Sequence, residues 1–234
     1  HGRRRSLHVG IVDAIERLYP DRLAEQAERL AHHAFRGEVW DKALIYLRQA
    51  GAKAVARWAH REAVTCFEQA LEALRYLPEG RETIEQAIDL RFDLRSSLIP
   101  LGELGRVLQY LREAETLAGA LGDPLRLGRV SASMALHFFV TGASDRGIES
   151  GHRALGIAAD VGEFPIRVAA NFHLGQMYWA LGDYRRAAEF LERNVAELEG
   201  ELTRERFGLP FFPSVDSRSC LVFRRIRWDC KGAG

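Results

Sequence analysis

Glycines recur at a constant interval through the second half of the chain, and this spacing limits what the chain can fold into. They are Gly102, Gly122, Gly142, Gly162 and Gly182. Between successive glycines, apolar side chains recur three, four and seven residues apart, which is typical of an amphipathic helix. Glycine is favoured just after a helix because it enters the left-handed region without a steric cost. The spacing therefore predicts a series of helices, each ended by a glycine.

The full repeat spans two such helices. Leu101-Gly102-Glu103 recurs two full repeats later as Leu181-Gly182-Asp183, and Arg106, Arg146 and Arg186 are each separated by one full repeat. Each unit is then an antiparallel helix hairpin, which buries its apolar side only by stacking on neighbouring hairpins. We predict an all-α fold, a right-handed superhelical α-solenoid of hairpins with a period of about 40 residues and no strand before residue 207.

The first hundred residues show a less regular form of the pattern. Pro20 begins a predicted helix that ends at Gly37, and Thr83 begins another with the spacing of a capping box. An earlier short helix is predicted from Leu7, Ile11, Ile15 and Leu18. We expect three parts: 1–20 as a linking helix, 21–200 as the repeat array, and 201–234 as a partial repeat whose tail is poorly packed from Arg224.

The hairpin at 171–195 resembles a tetratricopeptide (TPR) repeat. The matching residues are Leu174, Gly175, Tyr178, Gly182, Asp183, Tyr184, Ala187, Leu191 and Asn194. The resemblance implies that Gly175 and Ala187 let the two helices approach closely. It also implies that Tyr178 and Tyr184 fill the space between hairpins.

The hairpin at 134–155 departs from that pattern. It has Gly147 and Gly151 where the TPR family has alanine and a large apolar residue. Because side chains that would fill the contact are missing, we expect its second helix to be the loosest of the array.

Other stretches resemble a group of bacterial signalling proteins that join a class III adenylate/guanylate cyclase domain, an AAA-like ATPase and a TPR array. These stretches are 19–26, 30–34, 42–51 and 205–210. MalT-like regulators of the STAND type carry similar long repeats. The resemblance implies that the chain is the TPR segment of a larger signalling protein whose catalytic motifs lie elsewhere. The chain begins without Met, and we expect it to be a piece of a longer protein.

Composition argues against several classes of protein. Lys and Arg number 33 against 32 Asp and Glu, a net charge of +1, which disfavours binding of nucleic acid through a large basic surface. No apolar run approaches the roughly 18–20 residues that cross a bilayer. The three cysteines, Cys66, Cys220 and Cys230, form no CxxC pair, which favours a reducing compartment. We predict a cytoplasmic protein that contacts no membrane.

The sequence contains no motif that carries known catalytic chemistry. A P-loop, HExxH, GxSxG and GxGxxG are all missing from the 234 residues. His32 and His33 are adjacent, so on a helix they point about 100° apart and are not expected to share a metal. Cys66 is expected to be a buried, inert thiol. We predict no catalytic, cofactor-binding or metal-binding residue, and hence no enzyme in this segment.

Candidate binding residues lie on the first helix of each hairpin, which lines the concave face of a TPR superhelix. They are Asp89, Phe92, Ser96, Arg129, Leu136, Phe139, Phe172, Gln176 and Trp179. Phe139 and Trp179 are one full repeat apart and should lie on adjacent hairpins, where they form either a peptide-binding patch or part of the core between repeats.

The favoured function is a non-catalytic scaffold that binds a protein, a peptide or other domains of a parent signalling protein. One alternative is an all-α enzyme with a site in the concavity, which requires three or more close-set His, Asp or Glu side chains. Another is a nucleic-acid-binding helical repeat or the TPR segment of a MalT-like transcriptional regulator. Nucleic acid is the less favoured partner because the charge is balanced.

Overall fold

The chain folds into a succession of helices, in a computed structural model that describes residues 2–207, 209 and 211–231, with side chains as far as 222. The α-helices are α1 (Gly2–Leu18), α2 (Ala27–Arg36), α3 (Trp40–Ala56), α4 (His60–Leu74), α5 (Arg81–Leu98), α6 (Leu104–Leu121), α7 (Pro124–Val140), α8 (Ser144–Val161), α9 (Phe164–Ala180), α10 (Tyr184–Glu197) and α11 (Pro213–Lys231). Short 3-10 helices cover Pro20–Gln26, Ile99–Leu101 and Gly200–Arg204. No strand occurs in this described part, so the all-α prediction is confirmed.

Two compact units divide the chain, His1–Leu117 and Ala118–Gly234, with the division inside α6. In the first unit, α2–α3 and α3–α4 are each joined by three residues, and in the second unit α7–α8, α8–α9 and α9–α10 are joined by two or three. These consecutive helices pack against each other, so they form antiparallel hairpins. Fully buried side chains form a core in each unit. Those of the first unit include Leu30, Leu47, Ile88 and Leu94, and those of the second include Leu174, Met177, Leu191 and Leu198.

The regularly spaced glycines end helices for the predicted reason. Their φ angles are +72° at Gly102, +61° at Gly122, +74° at Gly142 and Gly162, and +80° at Gly182. A residue with a Cβ atom would pay about 1 kcal/mol or more in this left-handed region. The prediction from glycine spacing is confirmed at all five positions.

Two bends of the first unit have the same left-handed backbone without glycine. Glu38, at the end of α2, has φ +54°, and Trp58, at the end of α3, has φ +63°. The Trp58 side chain is 81% exposed. The repeat is therefore present in the backbone where the sequence signal for it is weak.

Two predictions for the first unit are wrong in detail. The helix expected from Pro20 is a 3-10 segment interrupted at Arg22 (φ −130°, ψ 23°), and α2 proper begins only at residue 27. Thr83 does not begin α5. The helix begins two residues earlier, and the Gly80 backbone N–H donates to the Thr83 hydroxyl at 2.9 Å. The helix predicted from Leu7, Ile11, Ile15 and Leu18 is present as α1, whose buried side chains are Val12 and Ile15.

The premise for a loose α8 is wrong, because the glycines of this helix are covered by long side chains of α9. A Cβ atom at Gly151 would lie 2.7 Å from the Leu174 side chain, and one at Gly147 would overlap Met177 Sδ. Leu174 and Met177 are fully buried. The space left by the missing side chains is thus filled from the neighbouring helix.

The α9–α10 hairpin confirms the predicted close contact at Gly175. A Cβ atom there would lie 2.6 Å from Leu191 Cγ and 3.4 Å from the Ala187 carbonyl oxygen. A buried amide pair also joins the two helices. Asn171 Nδ2 donates to Asn194 Oδ1 at 3.2 Å, and Asn194 Nδ2 donates to a carbonyl oxygen of α9 at 2.9 Å.

The last helix of the described residues, α11, packs against α10. The packing predicted for the tail from Arg224 concerns side chains outside the described residues. Within the residues that the structure describes, no helix has both the length and the apolar character that crossing a membrane requires.

Candidate functional site

In the first unit, three predicted groove positions lie on α5. The side chains of Asp89 and Phe92 are half-buried, and that of Ser96 is exposed. The Ser96 hydroxyl donates to the Phe92 carbonyl one turn earlier, at 3.0 Å. Spacings of three and four residues place all three on one face of α5.

A cavity of about 560 Å³ opens beside the same helix, between α4, α5 and α6. Ile84 and Arg91 of α5 line one side, and Glu68 and Tyr110 lie across from them. Glu68 Oε1 accepts hydrogen bonds from the Tyr110 hydroxyl at 2.8 Å and from Arg106 at 2.5 Å. The polar part of the wall is therefore held by its own hydrogen bonds.

The second unit places its predicted groove positions on α7 and α9, which contact each other. On α7, Arg129 is exposed, and Leu136 and Phe139 are half-buried. On α9, Gln176 and Trp179 are half-buried. The two sets thus lie on adjacent hairpins, as their separation by one full repeat implies.

Phe139 and Trp179 pack against the same buried cluster, which includes Leu174, Met177 and Tyr178. Both rings keep part of their surface accessible. The neighbouring residues Val140 and Leu181 are 56% and 54% exposed. The ends of α7 and α9 therefore present apolar surface next to two aromatic rings that the core holds in place. We call Phe139, Gln176 and Trp179, with Val140 and Leu181, the α7–α9 patch.

Phe172 is 2% exposed and lies outside this patch. A later segment of the chain covers it, because the Phe211 ring lies 4.6 Å from the Phe172 ring, centroid to centroid. Phe207 contacts Phe164 at 5.3 Å, and Leu209 packs against the cluster around Ile166. Three alternate residues of this segment thus pack along the first part of α9.

The arginines that recur once in each full repeat have a structural role in the second unit. The Arg146 guanidinium lies 4.2 Å from the centroid of the Phe138 ring, and Arg186 lies 5.5 Å from that of Tyr178. Both pairs have the same separation along the chain, so the same cation–π contact recurs in consecutive hairpins. Arg106 follows Leu98 at this separation and pairs instead with Glu68 and Glu103.

Three histidines come together in the first unit, contrary to the expectation for His32 and His33. Potential ligand nitrogens of His8, His32 and His33 all lie within 4.8 Å of one another. His8 Nδ1 is 2.8 Å from His33 Nδ1, so one ring donates and the other accepts. The rings of His32 and His33 are 5.1 Å apart between centroids. The two side chains therefore do not point apart as the angle between adjacent helical positions predicts.

The protonation of His33 is set by its surroundings. Burial, His32, His8 and Arg29 all lower the pKa of its imidazole. The ring is therefore more readily neutral than a free histidine, which is the form that donates a lone pair.

The described thiols, Cys66 and Cys220, are free and half-buried. Burial, and then neighbouring carboxylates, raise the pKa of both. Because the thiolate is the reactive form, the raised pKa disfavours reaction at Cys66, which is half-buried rather than buried as predicted.

Residues 168–193 match the family model described as "Tetratricopeptide repeat". The match spans most of α9 and α10 and confirms that this hairpin is a TPR repeat region. No curated protein sequence matches the chain.

Solved structures similar to the chain include BtubC (BKLC) from P. vanneervenii, with a TM-score of 0.59 and 19% identity over 82% of this chain and 88% of that one. A putative kinesin light chain with TPR-like repeats from Podosopora anserina has a TM-score of 0.55 and 16% identity over 84% and 95%. Aspartyl phosphate phosphatase F from Bacillus subtilis has a TM-score of 0.54 and 14% identity over 80% and 55%. At these identities the similarity concerns the fold, an α-solenoid of helix hairpins.

Proposed function

We propose that the chain is a non-catalytic scaffold that binds a protein partner through the α7–α9 patch. The observation that supports this most directly is the placement of Phe139 and Trp179, whose inner edges share one core cluster while their outer edges stay accessible. Aromatic side chains fixed in this way lose little conformational entropy when a partner binds, and such residues dominate binding energy at interfaces. TPR repeats commonly serve as protein-binding modules.

The covered part of α9 indicates what kind of segment the face accepts. Phe207, Leu209 and Phe211 lie along α9 as a ligand in cis. A partner with aromatic or large aliphatic residues at alternate positions has the matching chemistry. We propose that such a peptide lies on the α7–α9 patch beyond Phe172, with polar contacts to Gln176 and Arg129.

Peptide display against the chain tests this function. We expect selected peptides to be rich in aromatic and aliphatic residues and to bind with an affinity measurable by fluorescence anisotropy. Trp179→Ala should weaken binding at least tenfold, since a hot-spot aromatic contributes about 1.4 kcal/mol or more. Gln176→Lys should also weaken it while leaving the apolar contacts of the core in place.

Trp58→Ala is the matched control, since it removes an exposed tryptophan from the first unit. It should leave peptide affinity unchanged. Equal affinity for wild type, Trp179→Ala and Gln176→Lys would contradict the proposed patch, as would a selection that enriches no peptide.

We further propose that Asp89, Phe92 and Ser96 form a separate binding surface of the first unit. We also propose that the array regulates a cytoplasmic signalling protein with ATPase or cyclase domains. The support for the parent is the sequence resemblance at 19–26, 30–34, 42–51 and 205–210. A P-loop motif in the flanking sequence of the intact gene product would support it. Flanking sequence with neither P-loop nor cyclase motifs would contradict it.

A further inference from the structure

We propose that His8, His32 and His33 form a binding site for a divalent transition-metal ion, with Zn²⁺ as the best-suited occupant. His8 lies on α1, and the other two lie at the carboxyl end of α2. Two separate helices therefore converge on one point with three imidazoles. The potential ligand atoms lie within 4.8 Å of one another.

These distances are close to those of a tetrahedral zinc site. With Zn–N bonds of about 2.0–2.1 Å, ligand nitrogens lie about 3.4 Å apart. His8 Nδ1 and His33 Nδ1 are closer than this, at 2.8 Å, and share a proton. If the rings of His8 and His33 move slightly apart and the ring of His32 moves closer, all three can reach bonding distance of one metal ion. The metal then takes the place of the shared proton.

The chemistry of the ligands selects the metal. Imidazole suits zinc, copper and nickel, whereas magnesium and calcium prefer oxygen ligands. The carbonyl end of α2 carries partial negative charge, which favours a cation beside His33 in its last turn. His32 is exposed and the other two rings are half-buried, so solvent reaches the cluster and supplies a fourth ligand.

Nearby arginines are held by other groups. Arg29, which acts electrostatically on His33, donates to the Gln26 side chain at 3.1 Å. Arg5 donates to the Gly37 carbonyl at 3.2 Å and pairs with Glu38 at 2.8 Å. Their positive charges weaken the affinity for a metal ion, but their guanidinium groups bind other partners and do not fill the space between the histidines.

Metal binding would fasten α1 to the array. The buried side chains of α1 are Val12 and Ile15. Its polar contacts to α3 include those of Lys42 with Asp13 at 3.2 Å and with Glu16 at 2.7 Å, and the Tyr46 hydroxyl donates to Glu16 at 2.6 Å. A bond from His8 through a metal to α2 adds a link near the amino-terminal end of this helix. Because the ion binds the folded site, it should also raise the melting temperature.

Isothermal titration calorimetry of the full chain with Zn²⁺ tests the site. We expect one ion per chain with a Kd of about 10 μM or tighter, and a melting temperature that rises with zinc. His8→Gln and His33→Gln should each raise the Kd at least tenfold and abolish the thermal shift. His32→Gln should do the same, and because that side chain is exposed the variant keeps its fold.

His152→Gln is the matched control, because it removes a histidine from the second unit. It should bind zinc as the wild type does. Absence of saturable binding to the wild type would overturn the site. So would an affinity that stays within threefold of wild type in His32→Gln, or one that falls equally in His152→Gln.

Discussion

Two glycines of α8 should respond in opposite directions to the same substitution. Gly151 and Gly156 both lie inside α8, so replacing either by alanine gains about 0.5–1 kcal/mol of helix propensity. At Gly156 a new Cβ meets no atom within 4 Å. Gly156→Ala should therefore stabilise the protein by about that amount.

At Gly151 the new Cβ would lie 2.7 Å from both Cγ and Cδ2 of Leu174. Leu174 is fully buried, so it has no solvent-filled space to move into. Overpacking of this kind costs about 1–3 kcal/mol. After the propensity gain, Gly151→Ala should destabilise the protein by about 0.5–2 kcal/mol.

Urea unfolding followed by circular dichroism measures both variants. Since the propensity gain is common to both, the difference in midpoint at constant m-value reports the clash with Leu174. Stabilisation by both substitutions would refute this reasoning. It would mean that α8 has the unfilled space that the comparison with the TPR pattern suggests at Gly151.

Three other perturbations follow from contacts in the second unit. Asn194→Ala leaves the Asn171 amide and a carbonyl of α9 without their buried partner. Urea unfolding should show that the free energy of unfolding falls by about 2–4 kcal/mol. A fall below about 0.5 kcal/mol would contradict the role of the pair. Arg186→Ala removes an exposed guanidinium from the face of Tyr178, and the loss should be only about 0.5–1 kcal/mol, so a loss above about 2 kcal/mol would contradict the assignment. Burial, and then two arginines, lower the pKa of His152. The contribution of neutral His152 to the free energy of unfolding should be fully present above the pKa of about 6.5 in the unfolded chain, and be lost as the pH falls through the lowered pKa of the folded state. The same dependence of stability on pH in His152→Gln as in the wild type would contradict this.

The helix ends of the second unit could be predicted from sequence because the signal is local. A left-handed residue at the end of a helix favours glycine wherever it occurs, so Gly142 and Gly182 report their own conformation. The separation of Phe139 and Trp179 by one full repeat likewise placed them on adjacent hairpins. In both cases, one residue and its period carry the information.

The contacts that sequence reasoning missed join residues from different helices. The space at Gly151 is filled by Leu174, which lies on the next helix. Phe172 is buried by Phe211. No feature of the sequence indicates that Phe207, Leu209 and Phe211 contact α9 and its surroundings.

The histidine cluster was missed for the same reason. The angle between His32 and His33 on an ideal helix was correct as a rule, but the rule considers one helix alone. His8 is far from His32 along the sequence, and its approach depends on how α1 packs on α2. The adjacent histidines of α2 are the signal that could have found the cluster, if neighbouring helices had been searched for a third histidine.

The bends at Glu38 and Trp58 bear on how such arrays diverge. The interval between these two positions equals that between successive glycines farther along, yet neither side chain favours a positive φ. The helices on either side hold the main chain in that conformation at a cost of about 1 kcal/mol per bend. A hairpin repeat can therefore lose the glycine at its bend and keep the left-handed backbone there. Counting repeats by their glycines then underestimates the number of bends in the chain.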